Sequence, residues 1–232
     1  MWQRVRLALI VLDLAVIVYV LTFAVLSCME DDVEVGIPNP DFETGDLRGW
    51  ARTGNAFDHQ PTLGDNPKAR NRESSNHQGK WWIGGYERYQ GKPGQNPGDV
   101  QGDEPTGTLT STPFLIRGDR ISFLIGGGNH PWVEPNGEGS TCVNLIIRGK
   151  LVRTATGNNY ETMRRYVWDV SHFKGEMASI QLVDKHKGHW GHINFDDVRQ
   201  MTRWQAERGD FLLYLGAALM LMIYLLGRSY NP

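Results

Sequence analysis

The sequence predicts a mainly β protein, a sandwich or barrel of antiparallel strands, with one apolar helix at each end. Short runs rich in β-branched and aromatic residues alternate with Gly, Asn, Asp and Pro turns through the middle of the chain. No segment of that middle keeps a helical period over three turns, and many short strands at turn-separated spacing close into a sandwich or barrel. Leu7 to Leu26 and Phe211 to Leu226 are apolar, yet the mean hydropathy of the 232-residue chain is −0.41, so the middle is distinctly polar.

The ends read as membrane spans. Leu7 to Leu26 holds 20 residues, which as a helix reach roughly 30 Å, about one hydrocarbon core. Phe211 to Leu226 reaches roughly 24 Å and needs Gly209, Gly227 and flanking side chains to complete a span. Arg4 and Arg6 precede the first segment, while Glu30, Asp31, Asp32 and Glu34 follow it. Basic flanks stay inside, so both termini are expected in the cytoplasm and the middle in the periplasm of a bacterial inner membrane. Arg199, Arg203 and Arg208, before the second segment, oppose that orientation. The first segment also admits a signal-peptide reading, in which Val25-Leu26-Ser27-Cys28 resembles a lipobox and Cys28 takes a lipid.

Asp13 is the one charge in the first segment, and Gly216, Ala217 and Ala218 form a small-residue patch in the second. Both suit contacts with partner helices. The expected organisation is a cytoplasmic 1–6, a membrane helix over 7–28, an acidic linker over 29–35, a sandwich over 36–200, a juxtamembrane linker over 201–210, a second helix over 211–227 and a cytoplasmic 228–232. The expected partners are the lipid bilayer and other membrane-protein subunits.

Within the middle, the strands expected are Thr108–Ile116, Arg120–Gly126, Thr141–Arg148, Leu151–Thr156, Arg165–Val170, Ala178–Asp184 and His192–Val198. Ile147-Arg148-Gly149-Lys150-Leu151-Val152 is a hairpin signal with a two-residue turn at Arg148/Gly149 or Gly149/Lys150. Thr62 to Lys80 and Arg88 to Gly107 are long polar loops, the kind used for binding or left mobile. Net charge is −2 with no basic stripe, which argues against nucleic acid as a partner. The chain has two cysteines; Cys28 and Cys142 are poorly placed to pair, and Cys142 lies in an apolar run that suits a buried thiol.

Asn39-Pro40-Asp41-Phe42-Glu43-Thr44-Gly45-Asp46-Leu47-Arg48-Gly49-Trp50 is similar to the opening strand of galactose-binding-like jelly rolls. Gly107-Thr108-Leu109-Thr110-Ser111, Ile121-Ser122-Phe123-Leu124-Ile125-Gly126, Thr141-Cys142-Val143-Asn144-Leu145, Trp168-Asp169-Val170-Ser171 and Gly188-His189-Trp190-Gly191-His192-Ile193-Asn194-Phe195-Asp196 follow in order. Together these resemble the β-sandwich carbohydrate-binding modules attached to fructan-cleaving family 32 glycoside hydrolases. The resemblance implies a jelly roll of two antiparallel sheets, with a terminal sugar held in loops at one end. It points to Gly128-Asn129-His130-Pro131 and His189-Trp190-Gly191-His192, with His130, Trp190 and His192 as sugar contacts. The hydrolase domain of that family is absent, and Arg88 to Gly107 looks expanded.

His186, His189 and His192 recur every third residue, but Lys185 and Lys187 add charge and loop histidines without metal fit better. Asp41, Glu43 and Asp196, near the first and last strands, could hold a structural calcium; no other cofactor is required. Catalysis has no support: there is no nucleophile elbow, phosphate loop or zinc motif. The function expected is therefore a non-catalytic structural subunit of a bacterial membrane complex, with a photosynthetic reaction centre and its light-harvesting antenna as one possible host. The alternative is a membrane-anchored lectin for fructose-type or related sugars.

Overall fold

The computed structural model describes residues 14–22, 25 and 33–228. Residues 33–201 form one compact unit, and the described residues before and after it belong to a second. In the first unit the strands are β1 (Trp50–Gly54), β2 (Thr62–Leu63), β3 (Trp81–Gly84), β4 (Gly107–Ser111), β5 (Phe114–Leu115), β6 (Arg120–Gly127), β7 (Thr141–Ile147), β8 (Lys150–Ala155), β9 (Tyr160–Asp169), β10 (Met177–Asp184) and β11 (Ile193–Met201). One sheet has the order β1-β4-β10-β7-β8, with β5 beside β10; the other has the order β2-β3-β11-β6-β9. Neighbouring strands are antiparallel throughout.

Alternation decides what lies between the sheets. Val143, Leu145 and Ile147 of β7 join Ile180 and Leu182 of β10 in the core. They face Ile121, Phe123 and Ile125 of β6 and Phe195 of β11 from the other sheet. Phe123 is the hub of an aromatic cluster, with ring centroids 4.6 Å from Trp168 and 5.4 Å from Phe195. Phe42 and Trp50 extend it at 5.2 Å. Each fully buried side chain of this kind stabilises the fold by roughly 1.5–3 kcal/mol relative to exposure.

The expected strands in the second half of the middle all form, with β9 beginning earlier, at Tyr160. Arg148 and Gly149 both have positive φ (51° and 72°), so the turn sits at Arg148/Gly149 with type I′ geometry. The segment from Thr62 to Lys80 is more ordered than a bare loop, because it carries β2 and the short helix α2 (Asn66–Ala69). Strand β3 ends in Gly84 and, at four residues, is too short to show alternation. Cys142 is buried with a free thiol, and burial pushes that thiol up to about 11.

Gln200 of β11 ties the first described residues of the sandwich to the β5–β6 connection, at the end opposite the loops treated below. Its Oε1 accepts from the Arg117 and Gly118 amides, at 2.8 and 3.0 Å. Its Nε2 donates to the carbonyls of Val35 (2.8 Å) and Leu115 (3.0 Å). Gln200→Leu keeps the bulk and strands these buried groups, so urea unfolding should show a loss of about 1–3 kcal/mol. A loss within experimental error would show that water replaces the side chain.

The strand ends position the site. Strands β3, β6, β8 and β10 finish at the end of the sandwich where β4, β7, β9 and β11 begin. The connections 85–106, 128–140, 156–159 and 185–192 therefore meet there.

The second unit corrects the expected topology. Residues 14–22 are helical (α1), and α3 spans Arg203–Arg228. Among the described residues no helix is long and apolar enough to cross a membrane. Of the helix expected over 7–28, only residues 14–22 and 25 are described, and the rest, Cys28 included, lies outside them. In α3 the apolar run starts only at Phe211, short of the roughly 20 residues a span needs. The expected pair of transmembrane helices, the two-pass inner-membrane location and the bilayer and membrane-subunit partners are corrected accordingly. So is the photosynthetic host, which rested on them. Asp13 lies outside the described residues. Gly216, Ala217 and Ala218 are in α3, where a Cβ built on Gly216 meets no atom within 4 Å.

Candidate functional site

A cavity of about 160 Å³ opens among the loops at that end of the sandwich. Trp190 and His189 line it from the β10–β11 connection, Tyr86 and Asp103 from the β3–β4 connection, and Arg70 and Arg72 from the segment after α2. Glu161 reaches it from the start of β9, and His192 stands just before β11.

The β10–β11 connection is shaped by a turn in which the Gly191 amide donates to the Gly188 carbonyl at 2.8 Å. A Cβ on Gly191 would sit 2.5 Å from the His186 carbonyl oxygen, so only glycine fits there. Trp190 occupies the left-handed region (φ 60°), a conformation uncommon for a bulky residue. Its ring lies 5.4 Å from that of His192, and Tyr86 approaches His192 from another side at 5.1 Å.

His192 is the buried centre of the charges. Its Nδ1 is 2.7 Å from Asp103 Oδ1, and its Nε2 is 3.6 Å from Glu161 Oε2. Burial works against a charge on this ring, but the Asp103 and Glu161 carboxylates outweigh it and raise the imidazolium to about 9. Burial likewise opposes the Glu161 charge, and His192 and Arg70 overcome it, lowering Glu161 to about 2. Arg70 Nη2 bridges Glu87 (2.8 Å) and Glu161 (2.6 Å), and its guanidinium lies 4.8 Å over the Tyr86 ring. Glu87, buried beneath, is raised by burial despite Arg70 and despite accepting from Asn66 Nδ2 at 2.6 Å. Asp184, fully buried near His192, is raised well above the usual carboxylate range by burial, and its Oδ1 has no hydrogen-bond partner among the described residues.

The long Arg88–Gly107 loop supplies Asp103 and is pinned to do so. Gln101 Nε2 donates to the carbonyls of Ala56 (2.7 Å) and Gly85 (2.6 Å), and Asn66 Nδ2 donates to that of Asp99 (2.9 Å). The result is a pocket with an aromatic rim, charged donors and charged acceptors, set in a rigid frame.

Of the sugar contacts expected from the sequence, the structure brings Trp190 and His192 together and leaves His130 out. His130 pairs as an isolated bridge with Thr141 and stacks on His186, ring centroids 3.5 Å apart. Burial, then the neighbouring His186, lowers its pKa. Of the His186, His189 and His192 series, His189 and His192 flank Trp190 and line the pocket, while His186 turns away to stack on His130. The sequence analysis does not single out Arg70, Arg72, Tyr86, Asp103 and Glu161, because they come from three separate segments of the chain and none stands in a motif.

The expected calcium ligands each meet backbone amides. Glu43 Oε1 accepts from the Lys80 and Trp81 amides, at 2.6 and 2.8 Å. Asp196 Oδ2 accepts from the Gln78 amide at 2.7 Å and Oδ1 from the Asp197 amide at 2.7 Å. Burial raises Asp196 to about 8, which favours a neutral acid. Asp41 Oδ1 accepts from the Glu43 amide at 3.3 Å. Among the described residues no group of three or more His, Cys, Asp or Glu side chains is arranged to hold a metal. Backbone amides thus engage Glu43 Oε1, Asp41 Oδ1 and both Asp196 oxygens.

No family model matches the chain. It is 34% identical over 184 residues to the protein named "Putative glycosyl hydrolase ecdE" of Aspergillus rugulosus, a match covering 74% of this chain and 23% of that one. The chain thus spans about a quarter of that relative's length. Among solved structures, a family 61 carbohydrate-binding module in complex with β-1,4-galactotriose is 15% identical with a TM-score of 0.42, covering 72% of this chain and 97% of the module. A cleaved adhesin domain of Lys-gingipain from Porphyromonas gingivalis W83 is 11% identical with a TM-score of 0.38, covering 70% and 96%. A family 35 carbohydrate-binding module from an environmental isolate is 13% identical with a TM-score of 0.31, covering 65% and 85%. The sandwich rests on the strand pairing above, and at these scores the likenesses add nothing about a ligand.

Proposed function

We propose that the chain is a non-catalytic carbohydrate-binding module whose loop-end pocket holds a single sugar unit of fructose or a related type. The observation that carries this reading is the pocket itself, in which Trp190 stands beside the Arg70–Glu161–His192–Asp103 network. A sugar ring has an apolar face for the indole and hydroxyls that both donate and accept. Charged partners make stronger hydrogen bonds to such hydroxyls than neutral ones do. A volume of about 160 Å³ suits one ring rather than a chain.

Glu161, lowered to about 2, and His192, raised to about 9, favour a standing ion pair at neutral pH that offers hydroxyls a fixed acceptor and a fixed donor. The match to about a quarter of a glycosyl hydrolase fits an accessory module beside a catalytic one.

Calorimetric titration of the full chain with fructose, galactose and their short oligosaccharides tests the reading. Binding at millimolar or tighter is expected, weakened at least about tenfold by Trp190→Ala, the scale of one lost aromatic contact. Equal affinity in the variant would remove the pocket from the binding reaction, and no binding to any of these sugars would sink the proposal.

A further inference from the structure

A second concavity lies on the outer face of the β1-β4-β10-β7-β8 sheet. Outer faces of sandwich sheets ordinarily meet solvent. Here Cys142, Asn144 and Val183 point away from the core, opposite in alternation to Val143, Leu145 and Leu182, and yet are buried. The β6–β7 connection accounts for this by folding back, so that Trp132 shares a cavity with Asn144, Ile146 and Gln181 of that face. The fold-back is pinned: the Val133 amide donates to Ser140 Oγ at 2.9 Å, and Lys185 Nζ donates to the Asn136 carbonyl at 2.9 Å. The Trp132 indole lies against Gly137, where a Cβ would come within 2.3 Å of the ring. Its Nε1 is left without a hydrogen-bond partner among the described residues.

The cleft that remains has a volume of about 470 Å³, against about 160 Å³ for the loop-end pocket. Its floor is built from cross-strand neighbours. Gln181 stands opposite Asn144, and Ile146 stands opposite Leu151, so an amide pair and an aliphatic pair lie side by side. Successive outward residues on one strand are roughly 6.6 Å apart, so the polar and apolar steps alternate on the scale of a sugar ring. Trp132, Glu134 and Pro135 make one wall, and Gly149 and Lys150 of the hairpin make the other. One acid and one base leave the lining close to neutral.

We infer that this cleft is a second binding site, for several linked units of a neutral oligosaccharide. Asn144 Nδ2 and Gln181 Oε1, the amide ends left over by the contacts of Asn144 Oδ1 with Cys142 and Gln181 Nε2 with Thr110, take hydroxyls, while Trp132, Ile146 and Leu151 take the apolar ring faces. The aromatic-and-amide lining favours a neutral polyhydroxylated chain over an ionic ligand, for which the cleft has no surplus charge. The site stands on residues none of which line the loop-end pocket, so it holds or falls independently of the function proposed above.

The test uses the full chain carrying Trp190→Ala, which removes the pocket's aromatic contact. Cellotetraose, β-1,4-galactotetraose and a levan-type fructotetraose are titrated separately, with the matching monosaccharides as controls, and amide and indole resonances are followed. At least one tetraose should shift the Trp132 indole and the Gly149–Leu151 amides saturably, and the monosaccharides should bind at least tenfold more weakly. Trp132→Ala should weaken that binding at least tenfold, and Leu151→Asp on the exposed hairpin serves the same purpose if Trp132→Ala fails to fold. No saturable shift at these positions, or concentration-dependent shifts without sugar that report a second copy in the cleft, would overturn the inference.

Discussion

Replacing Arg70 with alanine is expected to lower the unfolding free energy by about 3–5 kcal/mol at neutral pH, the largest effect of any single change at the pocket. One Nη2 of this guanidinium serves two carboxylates, Glu87 and Glu161, whose side chains are 0% and 3% exposed. Removing it leaves Glu87 with the neutral Asn66 amide as its partner, while Glu161 keeps His192. A buried carboxylate without a cation costs far more than the ion pair contributes, because its desolvation is no longer offset. Burial already raises Glu87, and the variant should raise it further, so mild acid should neutralise Glu87 and recover part of the loss. Arg70→Lys should rescue part of the loss, since both acids meet a single Nη2 and one ammonium can serve them, but it cannot lie flat over Tyr86. Urea unfolding at neutral and mildly acidic pH measures this. A loss under about 0.5 kcal/mol at neutral pH would place Arg70 among ordinary surface residues.

The second large effect is a fall in stability as the solution turns alkaline. His192 is raised to about 9 in the folded chain, against an ordinary unfolded value of about 6.5. A raised folded pKa means that the folded state binds the proton more tightly. The contribution, on the order of 3 kcal/mol, is therefore fully present below about 6.5 and is lost as pH rises through about 9. Glu161 is lowered to about 2, so its share is present above an unfolded value of about 4.3 and is lost as pH falls toward about 2. The two shares describe one His192–Glu161 interaction and do not add. Asp196, raised to about 8, weakens the fold in the same alkaline direction, so the wild-type curve alone is ambiguous. The difference between wild type and His192→Gln isolates the histidine: the two curves should converge as pH rises from about 6.5 to 9. Parallel curves across that window would show that His192 carries no such proton.

Much of the architecture was legible along the chain. Strands β6, β7 and β10 announce themselves through β-branched alternation, and Arg148-Gly149 announces its own type I′ turn. Local chemistry decides such elements, so local sequence reports them. The pocket was half legible. Trp190 and His192 stand in one short run, Gly188-His189-Trp190-Gly191-His192, whose glycines mark a tight turn. Asp103, Arg70 and Glu161 come from connections 33 to 91 residues apart and meet only because the strand order brings those connections to one end. His130 sits in an equally suggestive loop, yet its ring turns to His186, a choice made by packing.

The apolar ends show the opposite lesson. Hydropathy read by composition suggested two spans, but the helix that forms around the second run begins eight residues earlier, at Arg203, and carries charge into its first turns. Residue type suggested calcium ligands at Asp41, Glu43 and Asp196, and the tertiary structure adds that backbone amides engage Glu43 Oε1, Asp41 Oδ1 and both Asp196 oxygens. The sequence by itself determined the antiparallel strands and their turns, because side-chain alternation and turn residues act over a few neighbouring positions. Only the tertiary structure decided which charges meet around His192 and which face of the sheet carries Trp132. Desolvation and ion pairing depend on groups that are distant in the chain and adjacent only once it has folded.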